Sequence, residues 1–180
     1  MLKKLDFITP TTLKVLELFF DNSAEEFHER EVMRRCAVSK GSANKILRKL
    51  SGLDFLIREE SGRMVFYRIN MKNAAVRQLK IFYNTWKIKE LADDMKKISR
   101  KVVLFGSCAE GTDVEDSDID ILVIADEKEP VMEMIGNFNK KIKGKISPVI
   151  LDSNEYIKLK KEDKPFYERI DRGIVLWERE

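Results

Sequence analysis

The sequence predicts an α+β protein in two parts, and three observations predict it. Residues 10–50 carry apolar positions at helical spacing in three short stretches, closed by a hairpin pattern over 55–69. Residues 99–180 alternate apolar runs of strand length with helical stretches, the pattern of a small α/β domain. Charge divides at the same place: residues 1–98 hold 20 Lys and Arg against 13 Asp and Glu, and residues 99–180 hold 14 against 18. A basic front and an acidic rear imply two modules with different partners. The expected boundaries are 1–70 for the first module, a connecting helix over 71–99, and 100–180 for the second.

Bulk composition excludes several classes. At 180 residues the chain can hold one ordinary domain or two small ones. Charged residues make up 36% of it, above the usual level of about 25%. No apolar run approaches about 18 residues, so no membrane partner is expected. The N-terminus lacks the apolar core of a signal peptide. Cys36 and Cys108 lie far apart, with neither disulfide nor metal spacing. Together these lead to a cytoplasmic expectation. The single histidine, His28, removes most histidine-based catalysis and most zinc sites, and is expected as a polar surface residue before a helix.

The front elements follow in order. Pro10 to Phe20 reads as a helix, with Thr9 as cap, Leu13, Leu16 and Phe20 on one apolar face and Phe19 beside it. Glu29 to Cys36 is a second helix, with Val32, Met33 and Cys36 inward. Ser39 or Ser42 opens a third that runs to about Leu50. It buries Ala43, Ile46, Leu47 and Leu50, and presents Lys40, Ser42, Asn44, Lys45, Arg48 and Lys49 on its other side. Two apolar runs around Ser61-Gly62 form the hairpin, with Arg58, Arg63 and Arg68 on it. Met71 to Ser99 has neither Pro nor Gly and reads as one long helix with two apolar stripes. The first stripe is Leu79, Phe82, Tyr83 and Trp86; the second is Ile88, Leu91, Met95 and Ile98.

In the rear, Lys101 to Phe105 is a strand that breaks into Gly106-Ser107, a turn suited to a phosphate. Asp118 to Ala125 is the next strand. Its alternation puts Asp118 and Asp120 on one face and Ile119 and Ile121 on the other. Two acids on one face beside such a turn describe a divalent-metal site for a nucleoside triphosphate. A helix from Pro130 stopped by Gly144 follows, then a strand over Ile146 to Leu151, with Pro148 placing it at an edge or at a break in the hydrogen bonding. Asp152 or Ser153 caps another helix. A last helix spans Pro165 to Asp171, and Ile174 to Trp177 closes the sheet.

Two resemblances follow. Gly106-Ser107, ten residues, then Asp118-x-Asp120 resembles the signature of the DNA polymerase β-like nucleotidyltransferase superfamily, closest to its minimal branch; Gly111 and Ser117 also fall where that branch has Gly and Ser. The three helices and hairpin over about 10–70 resemble a winged helix-turn-helix. The first resemblance implies a small domain with a mixed sheet, and transfer of a nucleotidyl group from a triphosphate, with ATP the first expectation, to a hydroxyl. It implies Mg²⁺ held by Asp118 and Asp120, with Gly106, Ser107 and Ser117 at the nucleotide. It also implies a protein acceptor of the toxin kind that partners minimal nucleotidyltransferases. The second implies DNA binding by Lys40, Ser42, Asn44, Lys45, Arg48 and Lys49, with Arg63 on the wing. A homodimer through the long helix is compatible with both.

The sequence departs from the superfamily pattern at two places. The usual third acid has no counterpart in Ser147-Pro148-Val149; Asp152, at the end of that strand, is the candidate third ligand and also a candidate helix cap. Cys108 and Glu110 occupy positions that are often basic in the minimal branch. Glu110 adds negative charge where phosphates would lie, and Cys108 reads as a packed small residue. Two functions therefore stand: an Mg²⁺-dependent nucleotidyltransferase coupled to DNA, and a DNA-binding transcriptional regulator whose second domain only senses a nucleotide or dimerises.

Overall fold

Helices form at the front because each has a cap and an apolar stripe. In the computed structural model, which describes residues 5–179, the chain divides into two units, one up to Lys80 and one from Ile81 onward. In the first, α1 (Pro10–Asp21) begins at Thr9, whose hydroxyl accepts from the Thr12 amide at 3.2 Å. β1 (Phe27–His28) leads into α2 (Glu29–Cys36), capped by His28, whose Nδ1 accepts from the Arg30 amide. α3 (Lys40–Gly52) starts at Ser39, whose hydroxyl takes the Ser42 amide. β2 (Leu56–Ser61) and β3 (Met64–Ile69) form the hairpin, with Gly62 at a φ of 61° in its turn. β1 pairs with β3, giving a three-stranded antiparallel sheet in the order β1-β3-β2. Helix, strand, two helices and a two-stranded wing are the winged-helix arrangement. Its core gathers Val15, Leu16, Phe19, Phe27, Val32, Ala43, Leu47 and Leu50.

Three expectations change here. The inward face of α1 uses Val15 in place of Leu13, which is 37% exposed. The apolar set Leu13, Val15, Leu16, Leu18, Phe19 and Phe20 is too wide to fix the rotation of the helix by periodicity alone. β1 escaped notice because two residues carry no period. The single helix expected over 71–99 is two, α4 (Ala74–Lys87) and α5 (Lys89–Met95). Asn73 Oδ1 accepts from the Ala75 amide at the start of α4. The break falls at Ile88, at φ −106° and ψ 8°. It turns Ile88, Leu91 and Met95 into an apolar core. The aromatic stripe fares differently: Phe82 and Trp86 are 60% and 62% exposed and stack on each other.

The second unit is built on a mixed four-stranded sheet. β4 (Lys101–Leu104) and β5 (Ile119–Ile124) pair antiparallel, β6 (Ile146–Leu151) pairs parallel with β5, and β7 (Ile174–Glu178) pairs antiparallel with β4. The order is β6-β5-β4-β7, so Pro148 sits on an edge strand as its missing N–H requires. A four-residue turn of helix, α6 (Ser107–Glu110), follows β4. α7 (Lys128–Asn139) starts two residues before Pro130 and stops five before Gly144. The side chain of Asn139 accepts the Ile146 amide, so the loop to β6 is tied by Asn139. α8 (Ser153–Glu162) and α9 (Lys164–Asp171) precede β7.

The sheet has two covered faces. Val102, Leu104, Ile119, Ile121 and Val123 pack with Leu91, Met95, Val131, Ile135 and Phe138. Val103, Phe105, Leu122 and Ile124 pack with Tyr156, Leu159, Phe166 and Ile170. The first cluster joins the sheet to α5 and α7, the second to α8 and α9. Gly173 is required where α9 meets the sheet, since a Cβ there would lie 2.5 Å from the Leu104 carbonyl oxygen. The overall class is α+β, with a winged-helix unit ahead of an α/β unit carrying a mixed sheet. No helix among the described residues is long and apolar enough to cross a membrane.

Candidate functional site

Alternation along β5 aims Asp120 at the face covered by α8 and α9, because Leu122 and Ile124 point there. Asp118 lies just before the strand, exposed, while Asp120 is half-buried. β4 runs beside β5 with Leu104 opposite Ile121, and the Phe105 amide donates to the Asp120 carbonyl at 3.0 Å. The chain then turns at Gly106, with φ 69° and ψ −156°. That region is essentially closed to residues with a Cβ. Space closes it a second time: a Cβ on Gly106 would stand 2.4 Å from Asp120 Oδ2. The carboxylate therefore rests against the bare α-carbon of the Gly-Ser turn, and strand pairing brings the two halves of the motif together.

The loop between them is held from both ends. Ser117 Oγ accepts from the Val114 amide at 2.9 Å, closing the turn ahead of Asp118. Asn84, a buried residue of α4, donates from Nδ2 to the Cys108 carbonyl at 3.0 Å and to Asp113 Oδ1 at 2.8 Å. Cys108 is buried, with Sγ 3.7 Å from the Asp118 carbonyl oxygen. Ser107 is half-buried at the start of α6, and Glu110 is exposed at its end.

Electrostatics single out Asp120. Burial pushes its carboxyl above the usual range; the Arg169 guanidinium pulls it back and Asp118 pushes it further up. Arg169, on α9, sits over the rings of Phe105 and Phe166, with its guanidinium carbon 5.4 and 5.1 Å from their centroids. It was invisible in the sequence because it lies about 50 residues from the motif, amid a helix rich in charge. The signal that would have found it is the spacing Phe166, Arg169, Ile170, one helix face.

Asp152 is occupied elsewhere. It caps α8 in a capping box, accepting the Asn154 and Glu155 amides at 2.7 and 2.8 Å while Glu155 accepts the Asp152 amide. Those amide bonds, the Glu155 amide foremost, hold its carboxyl below the usual range. It follows β6 at the end away from Asp120; the residue in register with Asp120 is Ser147. The position beside the two acids thus carries a hydroxyl, and no group of three or more His, Cys, Asp or Glu able to hold a metal occurs among the described residues. The donor set still fits a metal that arrives with its nucleotide. Mg²⁺ takes one or two protein carboxylates and completes its shell with phosphate oxygens and water, and the Gly106 surface leaves the Asp120 carboxylate room that a Cβ would fill.

On the front unit, Lys40, Ser42, Lys45 and Arg48 lie exposed along α3, and Arg63 is exposed in the hairpin turn. Asn44 and Lys49 are engaged: Asn44 donates to Glu29 Oε2 at 2.7 Å, and Lys49 pairs with Asp6 at 3.0 Å. Arg58 and Arg68 pair with Glu60 and Glu59 on the wing.

Such a turn, paired acids and mixed sheet define a nucleotidyltransferase-like domain. Residues 86–180, just over half of the 180, match the family model described as polymerase beta, nucleotidyltransferase, and the chain belongs to that family. Among solved structures it is similar to a Sulfolobus solfataricus protein provisionally described as a nucleotidyltransferase, at 22% identity over 61% of this chain and 94% of that one, with a TM-score of 0.38. NolR of Sinorhizobium fredii matches at 15% identity over 41% and 68%, TM-score 0.35. Sso10a-2, a DNA-binding protein of Sulfolobus solfataricus, matches at 19% over 47% and 94%, TM-score 0.33. No curated protein matches the chain.

Proposed function

We propose that the rear unit is a metal-dependent nucleotidyltransferase that moves a nucleoside monophosphate from a triphosphate, ATP first, to a hydroxyl of a protein or small molecule, and that the front unit takes this activity to DNA. The observation that carries it is the fit of Asp120 against Gly106, where an added Cβ would meet Oδ2 at 2.4 Å. A solvated acid has no need of a glycine in a glycine-only conformation beneath it. Asp118 and Asp120 are the residues that would hold Mg²⁺, and Gly106 and Ser107 would face the phosphates. The metal, when bound, supplies neutralisation of charge on the transferring phosphoryl group and helps ionise the attacking hydroxyl. The acceptor oxygen bonds to the α-phosphorus as the bond to pyrophosphate breaks. Half-burial of Asp120 raises the electrostatic effect of its charge on whatever cation it meets.

Ser147 in register with Asp120 favours a second reading. With a hydroxyl where a third acid is usual, the unit would bind a metal-nucleotide without turning it over, and the chain would be a nucleotide-sensing DNA-binding regulator. Incubation with labelled ATP, GTP, CTP or UTP, Mg²⁺ and host lysate, beside Asp118→Ala/Asp120→Ala, separates the two. The enzyme reading expects label on an acceptor with the parent chain and none with the double variant. Absence of label with every nucleotide rejects it in favour of sensing.

A further inference from the structure

A triphosphate entering beside Asp118 and Asp120 meets two carboxylates, and a polyanion needs a cation there beyond the metal it carries. The loop after Ser107 provides none, since its next residues are Cys108, Ala109 and Glu110. We propose that Arg169 is the phosphate-binding cation of this site, reaching it from α9 in place of the basic residues missing from the Gly-Ser loop. The proposal rests on the reading of the site as a nucleotide site.

Three features of its placement support this. First, the shelf beneath Arg169 is made by the motif itself. Phe105 is the residue before Gly106, and its amide bonds the Asp120 carbonyl. With the guanidinium carbon 5.4 Å from the Phe105 centroid and 5.1 Å from that of Phe166, Arg169 is seated on the ring of the residue that precedes the turn. Second, a guanidinium placed over ring faces keeps a rigid edge of N–H donors for a planar or tetrahedral anion. Third, Arg169 is exposed and no described carboxylate is in ion-pair contact with it, although it lies within electrostatic reach of Asp120. An arginine kept only to neutralise Asp120 would close a direct pair; this one is seated by aromatic rings with its charge available. Phe105 is 1% exposed and fixed in the core, so the shelf is rigid.

The test is binding by the full chain, measured by calorimetry with MgATP and with AMP. Four proteins are compared: parent, Arg169→Met, Arg169→Lys and Asp118→Ala/Asp120→Ala. Methionine keeps an apolar stem over the rings and removes the charge. A lost charge-assisted contact predicts MgATP binding weakened about tenfold or more in Arg169→Met. AMP binding should change by less than about twofold, and Arg169→Lys, which keeps the charge but not the planar fork, should fall between the parent and Arg169→Met in MgATP affinity. Unchanged MgATP binding in Arg169→Met, with binding lost in the double aspartate variant, overturns the assignment of Arg169 and leaves the nucleotide site standing. Equal weakening of MgATP and AMP also overturns it, since a polyphosphate contact discriminates between them. If the parent chain binds neither nucleotide, the nucleotide reading fails and this proposal falls with it.

Discussion

Replacing Gly106 with alanine perturbs the site at its tightest point. Two separate costs follow from the structure. The backbone at φ 69° and ψ −156° is a conformation that costs a residue with a Cβ on the order of 1–3 kcal/mol. The added methyl would also lie 2.4 Å from Asp120 Oδ2 and 3.3 Å from its Cγ, so the carboxylate must move away. For a unit of about 100 residues, each 1 kcal/mol lowers the thermal midpoint by roughly 4–8 °C. Gly106→Ala should therefore lower the midpoint by roughly 5–20 °C in calorimetry, and should weaken MgATP binding together with it. The two costs separate in an Asp120→Ala background. There only the Asp120 Cβ remains, 3.5 Å from the new methyl, an ordinary contact. The glycine substitution should then cost less than in the parent, with a coupling of roughly 0.5–3 kcal/mol. An unchanged midpoint in Gly106→Ala, or strict additivity with Asp120→Ala, would refute the packing of the carboxylate on the turn.

Further outcomes follow from the same geometry. Because burial raises the Asp120 carboxyl, the folded state holds that proton more tightly than the unfolded chain does. Ionising it costs stability as pH rises from the ordinary carboxylate range through the raised value. Asp120→Asn should thus be more stable than the parent at pH 7, the difference shrinking in melts taken near about pH 3, below the ordinary Asp range. For the same reason MgATP binding should fade on acidification at a pH above the ordinary Asp range. Asn84→Ala removes two bonds that tie the loop at Cys108 and Asp113; a loss of about 1–3 kcal/mol in unfolding free energy is expected, with weaker nucleotide binding. On the front unit, Lys45→Glu/Arg48→Glu should weaken DNA binding and flatten its salt dependence, read as the slope of log affinity against log salt. A slope unchanged from the parent would remove α3 from the interface.

Much of the fold was legible because its elements have strong local signatures. α2 and β6 fall on the residues read from the sequence, since each is bounded by a turn signal and a clear period. α1, with more apolar positions than its stripe needs, could be placed but not rotated. The break at Ile88 was invisible because Met71 to Ser99 contains neither Pro nor Gly; the tertiary core that draws in Ile88, Leu91 and Met95 makes the break. In the site, the sequence put a phosphate-suited turn at Gly106-Ser107 and two acids on one face of the next strand; the pairing of β4 with β5 is what sets Gly106 against Asp120. Asp152 looked eligible as a ligand by position, yet its local backbone holds it as a cap. Ser147 became significant only through strand register, and Arg169 only through the packing of α9 on Phe105, neither of which leaves a trace in sequence order.

The central claim is that Gly106, Ser107, Asp118 and Asp120 together hold a metal-bound nucleotide. A calorimetric titration of the full chain with ATP, with Mg²⁺ and with Mg²⁺ chelated, beside Asp118→Asn/Asp120→Asn, tests it most directly. Saturable binding that requires Mg²⁺ is expected in the parent and should disappear in the double variant, while the variant's thermal unfolding stays cooperative. Binding of equal strength without Mg²⁺, or binding undiminished in the double variant, would contradict it.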